Sequence, residues 1–173
     1  MTKPNKFWVG DISYIRTSEG WLLFIVVISL YSRQVVGWSL RRDMTHDIAI
    51  DGLRMAWFKR HPSKVSALMF HSDRGRQYAS QGLRGLLKDP GITASMSRRG
   101  DCWQNAYSET VFGSLKVERL RGQVFATRRQ AKDEVIGWLL WYNKTWLHST
   151  LAYVSPMKFE QSWLANQPSQ ANA

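Results

Sequence analysis

Three acidic residues stand where a solvated surface charge is unusual. Asp11 lies inside an apolar stretch, FWVGDISYI, at residues 7–15. Asp73 comes three residues after another, VSALMF, within the word HSDRG. Glu109 falls in a helical stretch, one turn after Asn105 and two turns before Lys116. Carboxylates from three distant segments form a hard oxygen donor set that needs no Cys or His and suits Mg²⁺. Two such ions, about 3.5–4 Å apart, turn a water or hydroxyl into a nucleophile and neutralise the leaving oxygen of a phosphodiester. Taken singly, each acid also fits an ordinary role. Asp11 could be a strand-edge ion pair, Asp73-Arg74-Gly75 an Asx-turn and Glu109 one solvated helix residue. A second acidic group, Asp43, Asp47 and Asp51, reads more simply as the acidic start of a helix.

The elements that must position the three acids follow from periodicity. Phe7–Ile15, Trp21–Leu30 and Arg33–Leu40 read as three strands, the first two joined through Thr-Ser-Glu-Gly as a hairpin. The second is apolar throughout, which implies burial on both faces and a place inside a covered sheet. Ala49, Leu53, Ala56 and Trp57 then recur at helical spacing, with Thr45 as N-cap. Val65–Phe70 is a fourth strand and Ile92–Met96 a fifth. Between them Ala79, Leu83, Leu86 and Leu87 mark a helix stopped by Pro90-Gly91. Two further helices span about Trp103–Leu120 and Thr127–Leu147. This order predicts an α/β fold, a mixed five-stranded sheet with helices on both faces. Pairing of the first strand with the fourth would make Asp11 and Asp73 neighbours, and the helix of Glu109 would bring the third carboxylate to the same sheet edge.

The charge balance points to the partner. With 24 Lys and Arg against 13 Asp and Glu, the chain carries a formal +11. Such an excess on an aromatic-rich domain suits a polyanion such as nucleic acid, whose condensed counterions Lys and Arg displace. One cysteine, Cys102, excludes an internal disulfide framework, and His46, His61, His71 and His148 have no zinc-finger spacing. The most apolar run, Trp21–Leu30, is about half the length of a membrane span, so no membrane partner is expected. The length suits one domain over residues 1–165, followed by a polar tail at 166–173 that is expected to be disordered.

Five words occur in order: WVGDISYI, SRQVVGW, HSDRGRQY, SMSRRGDCWQNAYSETVFGSLKVE and WYNKTWLHSTLAYVSPMKFE. Together they resemble the catalytic cores of insertion-sequence transposases related to retroviral integrases, specifically the second-frame product of two-frame bacterial elements. The likeness covers about Phe7 to Trp163, and the 35 residues between Asp73 and Glu109 match the spacing of this D,D,E group. It implies a ribonuclease H-like fold and metal-dependent DNA strand cleavage followed by strand transfer. It also implies two Mg²⁺ (or Mn²⁺) ions and metal-binding and catalytic roles for Asp11, Asp73 and Glu109. Lys116 matches a lysine held against the DNA terminus. Arg98, Arg99 and Asn105, on the segment entering that helix, are expected DNA-backbone contacts. Tyr142, Asn143, His148 and Ser149 are expected to pack the last helix, and His71 and Ser72 to position the Asp73 loop.

The implied partners are element-end and target DNA, a first-frame helix-turn-helix protein and further copies of the chain. The implied location is the bacterial cytoplasm, at the nucleoid. Two departures stand out: Gln104 where the family word has Asp, and Ser29 where the second strand commonly carries Asp. Family members also carry an amino-terminal segment that is not visible here. The alternative is therefore a truncated, inactive remnant that only binds DNA.

Overall fold

The computed structural model describes residues 3–43, 45, 47–62, 67–72, 82, 85, 87, 92–96 and 106–167. Strands β1 (Phe7–Thr17), β2 (Gly20–Ser29), β3 (Val35–Arg41), β4 (Met69–Ser72) and β5 (Thr93–Met96) form one sheet in the order β3-β2-β1-β4-β5. The β1–β2 and β2–β3 pairs are antiparallel, and β1–β4 and β4–β5 are parallel. The sheet is therefore mixed, with β1 next to β4. The helices are α1 (Asp47–Arg60), α2 (Ala106–Leu115), α3 (Arg128–Thr145) and α4 (Pro156–Ala165). Gly82, Gly85 and Leu87 are also helical. Ala79, Leu83, Leu86 and the Pro90-Gly91 stop lie outside the described residues.

The apolar run of β2 separates by the two-residue period of a strand into two cores. Leu23, Ile25 and Val27 face α1, where Ile48, Ala49, Leu53 and Ala56 are fully buried. Leu22, Phe24, Val26 and Ile28 face the other way, onto Val111, Phe112 and Leu115 of α2 and Val135, Trp138 and Leu139 of α3. Each such side chain contributes about 1.5–3 kcal/mol on burial, so the helices are held to both faces mainly by these stripes. The approach of α1 to β3 depends on a small residue. A Cβ on Gly37 would stand 2.2 Å from the Gly52 carbonyl oxygen, a contact no side chain tolerates.

The loop between β2 and β3 ties the sheet to three helices. Ser32 Oγ donates to Glu160 Oε2 at 2.7 Å, and Arg60 Nη2 donates to the same oxygen at 2.6 Å and to Gln34 Oε1 at 3.0 Å. Arg60 and Glu160 are thus a largely buried, hydrogen-bonded ion pair joining α1 to α4. The side-chain amide of Asn143 satisfies both backbone groups of Val35, accepting from its N–H and donating to its carbonyl, each at 2.8 Å. Tyr142 Oη donates to the Arg33 carbonyl at 3.2 Å. Tyr142 and Asn143 thus pack and pin α3 against the sheet, and His148 meets the Tyr142 ring edge-on at 5.2 Å between centroids.

Several boundaries differ from the sequence reading. Strand β4 runs to Ser72, so Asp73 follows it directly in sequence rather than three residues later. Residues 116–120, expected as ordinary helix, form a π-helical segment closed by Arg121 N–H to the Lys116 carbonyl at 2.7 Å. Helix α1 begins at Asp47, two residues after Thr45. Helix α3 begins after Thr127, whose hydroxyl accepts from Gln130 N–H within a reciprocal capping box. Helix α4 was not anticipated, although Ser155 as N-cap and Pro156 at the first helical position announce it. At its end Asn166 and Gln167 donate back to the last turn; residues 168–173 lie outside the described residues.

Candidate active site

Strand β1 changes character halfway along. Over Phe7–Gly10 it is flanked by β2 and β4, and Trp8 and Val9 are fully buried. The β4 register ends at the pair Gly10↔Ser72. From Asp11 onward the described ladder of β1 is with β2 alone, until an isolated bridge from Thr17 to Phe125. Asp11 is therefore the first residue of β1 beyond the described β4 pairing, and it is half-buried there. Asp73 lies outside the described residues; its predecessor Ser72 is the last residue of β4 and is buried.

Helix α2 reaches this edge through Ser108. Its side chain is fully buried, and its hydroxyl donates to Asp11 Oδ2 at 2.8 Å. The other carboxylate oxygen, Oδ1, accepts from the Ile12 N–H at 2.7 Å. Glu109 is the next residue after Ser108 and is exposed. Asp11 is thus tied to α2 at Ser108, the residue before Glu109. Both acids offer hard carboxylate oxygens, the donor type a divalent ion of the Mg²⁺ class takes. Ser108 was not singled out from sequence. The signal was available: Ser108, Val111, Phe112 and Leu115 repeat at the spacing of one helix face, which places a hydroxyl among core residues beside Glu109.

A second support comes from the β2–β3 loop. The Arg33 guanidinium lies over the Tyr107 ring at 3.5 Å, one residue before Ser108. Such a cation–π contact, together with the Tyr142 bond to the Arg33 carbonyl, fixes the start of α2 from the sheet side. His71, on β4, places Nδ1 3.3 Å from Ser95 Oγ of β5. The rival acids have local partners. Asp51 accepts two bonds from Arg41, at 2.9 and 2.5 Å, Asp47 lies 3.6 Å from Arg41, and Asp43 pairs with Arg42.

Lys116 is exposed at the end of α2, seven residues beyond Glu109, and opens the π segment. Arg98, Arg99, Asn105 and Gln104 lie outside the described residues. Ser29 is fully buried, opposite Trp8 in the β1–β2 register, and its hydroxyl has no hydrogen-bond partner among the described residues. Among the described residues no helix is long and apolar enough to cross a membrane.

Comparison with known proteins bears on the family and the fold. Two family models, both described as Integrase core domain, match residues 1–102 and 90–156. The chain is 43% identical over 164 residues to the transposase InsF for insertion sequence IS3A of Escherichia coli (strain K12), covering 94% of this chain and 56% of the relative. It is 38% identical over 161 residues to the transposase for insertion sequence element IS904 of Lactococcus lactis, covering 92% of this chain and 63% of the relative. The chain thus spans little more than half the length of these relatives. Among solved structures, the HTLV-2 integrase catalytic core domain in complex with magnesium superposes with a TM-score of 0.71 at 15% identity, over 91% of this chain and 97% of that one. A chain of the simian T-cell lymphotropic virus intasome gives 0.77 at 17% identity, over 99% and 58%. The fold is the ribonuclease H-like fold of integrase cores. With the first family model matching more than half of its residues, the chain belongs to the integrase core domain family.

Proposed function

We propose that the chain is the catalytic core of a DNA transposase, cutting strands at the ends of a mobile element and joining the freed 3′ ends to target DNA. The observation that carries this reading is the tie between Asp11 and helix α2. Ser108 holds the Asp11 carboxylate at 2.8 Å, and Glu109 follows it directly. The pairing of Gly10 with Ser72 brings together the residues just before Asp11 and Asp73. The relatives named as transposases support the substrate class.

In this reading Asp11, Asp73 and Glu109 hold two Mg²⁺ or Mn²⁺ ions. When bound, the ions supply Lewis-acid activation of the attacking oxygen and neutralise the leaving oxygen. The residues of the chain do the positioning. Ser108 and the Ile12 N–H orient the Asp11 carboxylate, leaving it little rotational freedom. Lys116, on the helix of Glu109, pairs with a phosphate of the bound strand. Arg98, Arg99 and Asn105 contact the DNA backbone and fix its register. The formal charge of +11 draws the polyanion to this surface. The further partners are a helix-turn-helix protein that reads the element ends and other copies of this chain, since two DNA ends must be joined to one target. The work is done at the bacterial nucleoid. The core occupies residues 1–165, with residues 166–173 as a tail.

The test is a nicking and joining assay with labelled element-end duplex, supercoiled target plasmid and Mg²⁺. The wild-type chain is expected to release a nicked end and to produce joined products, and Asp73→Asn to lose both by at least about a thousandfold. Equal activity in the Asp73→Asn protein overturns the catalytic assignment. DNA binding without cutting by the wild-type chain identifies a remnant instead.

A further inference from the structure

The turn between β2 and β3 holds a residue whose backbone and side chain point to a role outside the turn. Arg33 has a φ of 60°, in the left-handed region, which glycine adopts freely and a residue with a Cβ does not. The turn is closed by backbone bonds. Arg33 N–H donates to the Ser29 carbonyl and Ser29 N–H to the Gln34 carbonyl, both at 2.9 Å. Neither bond uses the arginine side chain, so the turn by itself favours glycine at this position. Among the described residues the guanidinium makes no ion pair either. It lies instead over the face of Tyr107, 3.5 Å from the ring centroid.

That ring is one residue from the contact with Asp11. Tyr107, Ser108 and Glu109 are consecutive in the first turn of α2, and successive side chains of a helix project about 100° apart. A single contact lets a helix pivot about it, whereas two contacts on adjacent spokes remove the rotation. Ser108 is held by Asp11 at 2.8 Å, and Tyr107, on the spoke before it, by Arg33. The direction of Glu109, on the next spoke, is then set. Arg33 can bear this load because its own backbone is fixed. Its carbonyl accepts from Tyr142 Oη at 3.2 Å, and Ser32 and Val35 on either side of it are bonded to Glu160 and Asn143.

We propose that Arg33 is a positioning residue of the active site, which through Tyr107 sets the angle at which α2 carries Glu109 relative to Asp11. The inference rests on the reading of these acids as part of a metal-dependent DNA-cutting centre, and adds to it a residue remote from both in sequence. It accounts for an arginine where glycine would release the strain. Stability and reactivity pull in opposite directions at this turn.

The test compares Arg33→Gly, Tyr107→Leu, their double variant and Tyr107→Phe in the full chain. In EDTA, Arg33→Gly should keep its urea midpoint within about 0.3 M of wild type, because released strain offsets the lost ring contact. Hydrogen exchange of the amides from Thr110 to Gly113 should quicken about tenfold, with those from Val135 to Leu139 in α3 unmoved. Calorimetry without DNA should show Mn²⁺ binding about tenfold more weakly, and nicking of element-end duplex should slow about tenfold. Tyr107→Leu should reproduce these changes, and the double variant should be no worse than either single one, because all three remove the same contact. Tyr107→Phe keeps the ring face and should restore exchange and nicking to within about twofold of wild type. Unchanged exchange of α2 in Arg33→Gly overturns the proposal, and so do additive losses in the double variant. A lowered urea midpoint with exchange quickened throughout the chain would assign Arg33 to the fold alone. Failure of the catalytic reading looks different. Wild-type protein then neither binds Mn²⁺ nor nicks, while exchange in α2 still decides whether Arg33 holds the helix.

Discussion

The hydroxyl of Ser108 donates to Asp11 Oδ2 at 2.8 Å, joining the helix of one acid to the strand of another. A hydrogen bond to a charged acceptor contributes about 1.5–3 kcal/mol. Ser108→Ala is therefore expected to slow strand nicking about tenfold by freeing the Asp11 carboxylate. The Mg²⁺ concentration for half-maximal rate should rise, with DNA affinity in EDTA unchanged. A titration of nicking rate against Mg²⁺ checks this. A rate loss with the Mg²⁺ dependence unmoved would mean that Ser108 serves packing only.

Asn143 carries a different kind of load. Its amide satisfies the N–H and carbonyl of Val35, both buried. Asn143→Leu keeps the approximate volume and orphans two backbone groups, at about 1–3 kcal/mol each. A loss of about 2–5 kcal/mol in urea unfolding is expected, with the slope against denaturant unchanged. A loss below 1 kcal/mol would show that water replaces the amide.

His148 gives the fold a pH dependence. Burial, then the nearby Arg33 charge, holds its pKa below the ordinary 6.5. A base with a depressed folded pKa binds its proton more weakly folded than unfolded, so the unfolded chain gains protons first as pH falls. The stabilisation is complete above about pH 6.5 and is lost as pH drops from there through the folded value. Thermal melts should show His148→Phe losing less stability than wild type between pH 7.5 and pH 5. Identical losses would remove His148 from the account.

Much of this was legible in the residues themselves. The alternation within WLLFIVVIS fixes which side chains meet α1 and which meet α2 and α3, because strand geometry converts parity into face. The placing of β1 beside β4 followed from asking how Asp11 and Asp73 could share ions, and the register bears out the strand pairing. One of the family words proved to be structural. In SRQVVGW, Ser32, Arg33, Gln34 and Val35 each contact a helix. Those contacts span 26 to 128 residues of sequence, and no local period reports a partner at that distance. The Ser108–Asp11 bond was hidden for the same reason, since it joins segments that sequence keeps far apart. Helix α4 is the opposite case. Its Ser-Pro start is local and was simply not used.

The halfway change in β1 has a consequence for how the chain can vary. Asp11 is mounted on a strand whose preceding residues, Trp8 and Val9, are completely buried. Amide protons there are expected to exchange only when the whole domain opens. Asp11 is thus set where the strand passes from two described neighbours to one. Substitutions in the outer hairpin, at the exposed Tyr14 or Trp21, therefore leave the stretch of β1 that leads into Asp11 paired on both sides. The hairpin is free to drift in this molecule while the carboxylate stays in place.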